Sequence, residues 1–162
     1  MIQDEWKAIY ETYYRPLYLY ALSLTGNRHD AEDLLQETFV KAYLSYEEGG
    51  SVKAWLITVL HNAFLNLQRK RKKELLDHGG TVLAQTPAEE DPLSDVIREE
   101  ERRMLFQAIQ QLPSQMKTIL MESVYFQMRD DEIAALHGLT EVHVRKIRSR
   151  AKQKLLKTMK EV

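Results

Sequence analysis

In the stretch VKAWLITVLHNAFLNLQRKRKK, residues 52–73, Trp55, Thr58, Asn62, Asn66, Arg69 and Lys70 follow one another at helical spacing. Residues three and four apart share one face of a helix, so this face offers a ring, two amides and then cations. An indole can stack on an unpaired base, an amide can donate to and accept from a base edge, and cations neutralise phosphates. Arg69, Lys70, Arg71, Lys72 and Lys73 form an unbroken basic run at the end of the stretch. Such a stripe suits single-stranded or opened DNA. The competing structural reading makes Trp55 a core residue and Asn62 a solvated or buried polar one.

A second constellation lies near the C-terminus. Asp130-Asp131-Glu132-Ile133-Ala134-Ala135-Leu136-His137 reads as a short helix, Gly138 can supply positive φ, and Thr140 can cap the next helix. This is the order of a helix-turn-helix, whose second helix enters the major groove. Val144, Ile147, Ala151 and Leu155 make its buried stripe and leave His143, Arg145, Lys146, Ser149 and Arg150 outward. Arg and Lys can donate to guanine O6 and N7, so these five are candidate base readers. Many glycine-linked helix pairs only pack, but from Thr140 to Lys160 eight cations stand against Glu141 alone, and a merely solvated face mixes both signs.

The net charge of -1 conceals this segregation. Between Glu74 and Glu101 nine acidic residues face one basic residue, Arg98, so an acidic connector separates two basic surfaces. An apolar content of 44% excludes wholesale disorder. The chain has no cysteine, which removes disulfide scaffolds and thiolate metal sites and fits a cytoplasmic setting. The acidic, aromatic start MIQDEWKAIYETYY does not read as a secretory signal, and no apolar run is long enough to span a bilayer. An enzyme or metal site would have to use Glu32, Asp33 and Glu37, or His137 and His143. The former are a solvated helical face, and the latter flank a turn without carboxylate partners, so neither a catalytic centre nor a cofactor or metal is expected.

The elements that carry these residues are expected to be helices throughout. Glu5 to Leu24 spaces Trp6, Ile9, Tyr13, Leu17, Tyr20 and Leu24 at threes and fours, with Pro16 predicting a kink or break. Asp30 is the expected N-cap of a helix over 31–45 whose inner face is Leu34, Leu35, Thr38, Phe39, Ala42 and Tyr43. A break over 47–52 follows, with Ser51 able to cap the next helix, whose core face is Leu56, Val59, Leu60, Ala63, Phe64 and Leu67. Helices over 93–112, 114–126, 130–137 and 140–158 complete the pattern. The fold class is all-α: two small helical domains, residues 1–77 and 98–162, joined by a flexible acidic linker over 78–97 that is rich in glycine and proline.

The run DAEDLLQETFVKAY over 30–43, Ala54-Trp55-Leu56 with Asn62 seven residues beyond the tryptophan, the basic cluster, and Leu112-Pro113 opening a helix-turn-helix resemble the extracytoplasmic-function sigma factors of bacterial RNA polymerase, in order and over nearly the whole chain. The resemblance implies a sigma factor that binds core polymerase and directs promoter recognition, DNA melting and initiation at a stress or envelope regulon. By position it assigns Asp33, Gln36 and Glu37 to the β′ clamp helices. It places Trp55, Asn62, Asn66, Arg69, Lys70, Arg71 and Lys72 on the -10 element. His143, Arg145, Lys146, Ser149 and Arg150 fall on the -35 element. It also implies the β flap and an anti-sigma factor as partners, the latter able to hold the protein at a membrane. The chain departs from the family pattern at Val142 and His143, where a glycine and threonine are common, and at Arg148, where the usual core leucine falls; Ile147 is the expected replacement, with a slight rotation of the helix. A helix-turn-helix repressor or activator that needs no polymerase is the alternative, but it leaves the Trp-Asn-basic face and the acidic connector without a role.

Overall fold

The structure, a computed structural model, describes residues 3–45, 50–77 and 100–160. Their regular structure is helical: α1 (Gln3–Thr25), α2 (Arg28–Ser45), α3 (Val52–Asp77), α4 (Glu100–Gln110), α5 (Ser114–Tyr125), α6 (Asp130–His137) and α7 (Glu141–Lys160). The acidic linker expected over 78–97 and the part of the break at 47–49 lie outside the described residues.

The first three helices pack as one half. The α1 helix runs through Pro16 without the break that was one of the two expected outcomes, a kink or a break. Proline removes one backbone donor, and the burial of Leu17, Tyr20, Ala21 and Leu22 immediately beyond it holds the helix together. At its end Gly26 adopts φ +75 and donates to the Leu22 carbonyl at 2.8 Å. The residue that then caps α2 is Asn27 rather than Asp30: its side-chain oxygen accepts from the Asp30 N–H at 2.9 Å, and its amide donates to the Asp30 carboxylate at 2.7 Å. The Ser51 hydroxyl receives the Ala54 N–H at 3.3 Å, as expected of the α3 cap.

In the second half, α6 begins with Glu132 accepting the Arg129 N–H at 3.0 Å, and it ends at Gly138, which is left-handed at φ +67. Leu139 donates back to the Ala134 carbonyl at 2.9 Å, so the turn is a compact C-terminal cap. Thr140 caps α7 through the His143 N–H at 3.1 Å. Val144, Ile147 and Ala151 are buried against the rest of this half, as their spacing predicts.

The two halves share one continuous core. Tyr20 meets Phe126 edge-on with ring centroids 5.7 Å apart. Gln110 Nε2 donates to the Ser23 carbonyl at 3.0 Å, and Lys53 Nζ donates to the Phe126 carbonyl at 2.9 Å. Ile57 is fully buried on this second side of α3, which the single-face reading of the helix leaves out.

Candidate nucleic-acid interface

Asn62, Asn66, Arg69 and Lys70 are exposed along one side of α3, and its inner side buries Leu56, Leu60, Ala63 and Phe64. Arg69 Nη1 donates to the Asn66 side-chain Oδ1 at 3.4 Å, so amide and cation form one polar strip. Thr58 is drawn back onto its own helix through the Ala54 carbonyl at 2.8 Å. Trp55 is half-buried against the core, and its indole N–H is buried without a hydrogen-bond partner among the described residues. Its ring therefore belongs partly to the core and only partly to the polar strip.

The five cations at the end of α3 are not equivalent. Arg71 continues the inner line of Leu60, Phe64 and Leu67, and its guanidinium pairs with Asp30 at 2.6 Å. Burial pushes the Asp30 carboxyl up, but the hydrogen bonds from Asn27 and Arg71 and the Arg71 charge outweigh it and hold the group below the usual carboxylate range. Arg69, Lys70 and Lys72 remain on the exposed side of the basic end.

On α7, His143, Arg145, Lys146, Ser149 and Arg150 are all exposed, on the side away from Val144, Ile147 and Ala151. Arg148 is not among them: its guanidinium forks onto Asp130 at the start of α6, with Nη2 3.2 Å from Oδ2 and Nη1 on Oδ1. Ile147 does take the buried place, which is the substitution anticipated from the family's leucine.

A third surface lies on α2. Asp33, Gln36 and Glu37 are exposed, with His29–Asp33 at 3.3 Å and Glu37–Lys41 at 2.7 Å. Beside them Val40 and Leu44 continue the same face, and Tyr10, Tyr14 and Tyr43 also stand in solvent. Tyr10, Tyr14, Val40 and Leu44 were not singled out in the sequence, whereas Tyr43, expected on the inner face of α2, lies at its edge, exposed and edge-on to Trp6. The signal available was the aromatic density of α1, more than one helix face can bury. Exposed apolar side chains grouped beside charges mark a protein contact surface.

Two groups buried between the halves have unusual acidity. Glu122 is fully buried, faces Tyr20 and receives His137 Nε2 at 2.7 Å, and its burial raises its pKa above the ordinary carboxylate value. The His61 ring lies 6.3 Å from that of His137, and burial first, then the neighbouring imidazole, lowers its pKa. Among the described residues no group of three or more acidic or histidine side chains could hold a metal, and no helix is long and apolar enough to cross a membrane.

The chain matches the Sigma-70 region 2 family over residues 9–74 and the Sigma-70 region 4 family over residues 102–155. It is 32% identical to the ECF RNA polymerase sigma factor SigM of Bacillus subtilis, over 91% of this chain and 90% of that protein. The chain belongs to the extracytoplasmic-function sigma factors. Another B. subtilis sigma factor, YlaC, is 28% identical over 97% of this chain and 93% of its own length. The sigma factor RpoE of Bartonella quintana, solved in complex with the anti-sigma factor NepR, superposes with a TM-score of 0.79 over 98% of both chains at 27% identity. As a sigma factor the chain binds core RNA polymerase and recognises promoters. The α3 strip lies in the region 2 match, and the outward residues of α7, His143 to Arg150, lie in the region 4 match.

Proposed function

We propose that the exposed strip of α3 receives the opened -10 element while the outward face of α7 reads the -35 element as duplex. The observation that carries this is the pairing of each buried stripe with an uncovered polar one: Asn62, Asn66, Arg69 and Lys70 on α3, and His143, Arg145, Lys146, Ser149 and Arg150 on α7. A base leaving the stack costs a few kcal/mol, which the Asn62 amide and the exposed part of the Trp55 ring offset. Arg69, Lys70 and Lys72 then neutralise phosphates, and Arg71 holds the end of α3 to α2 through Asp30. Asp33, Gln36 and Glu37, with Val40 and Leu44 beside them, are the surface for the β′ clamp helices. Residues 1–77 and 98–162 are the two functional units. The likeness to a sigma chain crystallised with its anti-sigma factor supports an anti-sigma partner here. A stress or envelope regulon is carried over from the family resemblance alone.

The deciding measurement is run-off transcription with core polymerase and an Asn62→Ala chain on promoters recovered from a random library. A several-fold fall in open-complex formation on duplex templates, largely restored on templates with a pre-melted -10 region, is the expected result. Undiminished melting and transcript yield would remove Asn62 from base capture. If the parent chain gives no transcript with core polymerase from any promoter, the whole reading fails.

A further inference from the structure

The geometry points to Asp130 and Arg148 as positioning residues that set how α7 presents Arg145 to the -35 duplex. The inference rests on the reading of α7 given above.

Arg148 follows Ile147 and precedes Ala151 by three residues, so it stands at the edge of the buried stripe that fixes α7 to its own half. Its side chain is 24% exposed, and that of Asp130 19%. A guanidinium held this far from water requires an anion. Asp130, the first residue of α6, supplies one in a two-point fork. A fork fixes orientation as well as distance, because both planar groups must align. It joins the start of the first helix of the motif to the middle of the second, at a place where an apolar residue would only fill space.

The same carboxylate reaches a second cation. Arg145 lies one turn before Arg148, and its Nη1 is 3.8 Å from Asp130 Oδ2 and 3.9 Å from Glu141 Oε2. Its guanidinium is half-exposed and stands between two acids, with its direction narrowed before any base is met. Arg148 cannot itself reach a phosphate while forked on Asp130. The two arginines thus divide the work: Arg148 fixes the roll of the helix, and Arg145 points from it.

The test compares holoenzymes carrying Arg148→Gln, Asp130→Asn, the double variant and Lys146→Gln in binding a duplex upstream element selected by the parent from a random pool. Losing a partially buried fork should weaken specific binding about tenfold. The losses from Arg148→Gln and Asp130→Asn should be non-additive, since they break one unit. The log-log salt slope should stay unchanged for Arg148→Gln but fall by about 0.9 for Lys146→Gln if that lysine meets a phosphate. A salt slope lowered as much by Arg148→Gln, or additive losses, would overturn the assignment. So that poor folding does not decide the matter, Asp130→Leu/Arg148→Leu replaces the fork by an apolar contact. This variant should melt at the parental temperature yet keep the weakened discrimination between selected and scrambled duplexes, and parental discrimination would reduce the pair to packing. Lys146→Gln, Arg145→Ala and Arg150→Ala with no effect on duplex binding would instead discard the reading of α7 itself.

Discussion

At the scale of single residues, the cations and acids of this chain differ by what lies behind them. Arg71 and Arg148 look like their neighbours in sequence, yet each is tied to an aspartate near the start of the preceding helix, Asp30 and Asp130. His61 is set apart by burial and by His137, which together hold its pKa below the ordinary histidine value of about 6.5. With its folded pKa depressed, His61 stays neutral in the folded state where the unfolded chain already takes a proton. Its contribution to stability is therefore present above about pH 6.5 and lost as pH falls through the lower folded value. Glu122 acts with the opposite sign: its raised pKa gives a contribution present at low pH and lost as pH rises through that value. A His61→Asn chain separates the two. Melting curves at pH 7.5 and 5.5 should show the parent losing more stability on acidification than the variant, by on the order of 1–3 °C. Equal losses in both would mean that His61 does not titrate with folding.

At the scale of elements, the turn between α6 and α7 decides where α7, the helix proposed to read the -35 element, starts. Gly138 holds φ +67, and a Cβ built there meets nothing within 4 Å, so substitution is resisted by backbone strain alone. Gly138→Ala should cost about 1–2 kcal/mol, seen as a fall in melting temperature of roughly 2–8 °C. Gly138→Asn should cost less, since asparagine tolerates the left-handed region. Equal melting of all three proteins would contradict a strained turn. This turn was legible because its signal is local, a glycine and a capping threonine in adjacent positions, and α6 begins and ends where the pattern places it. Likewise the inner faces of α2 and α7 follow from a period of about 3.6 residues, because each buries one side, except that Tyr43 falls at the exposed edge of α2. The α3 helix is harder: it is packed on a second side by the other half, so Ile57 is buried out of phase, and the Lys53 contact to Phe126 spans 73 residues. The turn before α6 puts Gln127 at φ +49 without a glycine to announce it, and the burial of Glu122 depends on His137 fifteen residues away. The exposed strips of α3 and α7 were readable as patterns of charge and amide. The tie of Arg71 to Asp30 was not, nor was the partner of Arg148, already left out of the outward five, since both aspartates lie on other helices.

At the scale of the whole molecule, the direct contact between the halves bears on how two promoter elements can be read together. Elements centred near -10 and -35 lie about 25 base pairs apart, or roughly 85 Å along duplex at about 34–36 Å per turn. Here the rings of His61 on α3 and His137 beside the α6–α7 turn are 6.3 Å apart. The α7 helix, roughly 30 Å long at about 1.5 Å per residue, begins next to that contact and cannot place its reading face so far from Asn62. Neither face is covered by the contact between the halves; if α3 and α7 take the two elements as proposed, it is their separation that is wrong, and the Tyr20–Phe126 and Lys53–Phe126 contacts must then part before both elements are engaged. The 22 residues between Asp77 and Glu100 reach at most roughly 73–79 Å at about 3.3–3.6 Å per residue, and with the lengths of α3 and α7 added they permit such a movement. The absence of native cysteine makes the consequence directly measurable. A Lys53→Cys/Gln127→Cys chain bridged by a short bis-maleimide should lose more than nine-tenths of its promoter-dependent transcript with core polymerase. The same chain capped with a mono-maleimide should keep it, which separates locking from simple modification. Transcription by the bridged protein at the rate of the capped one would show that the halves need not part.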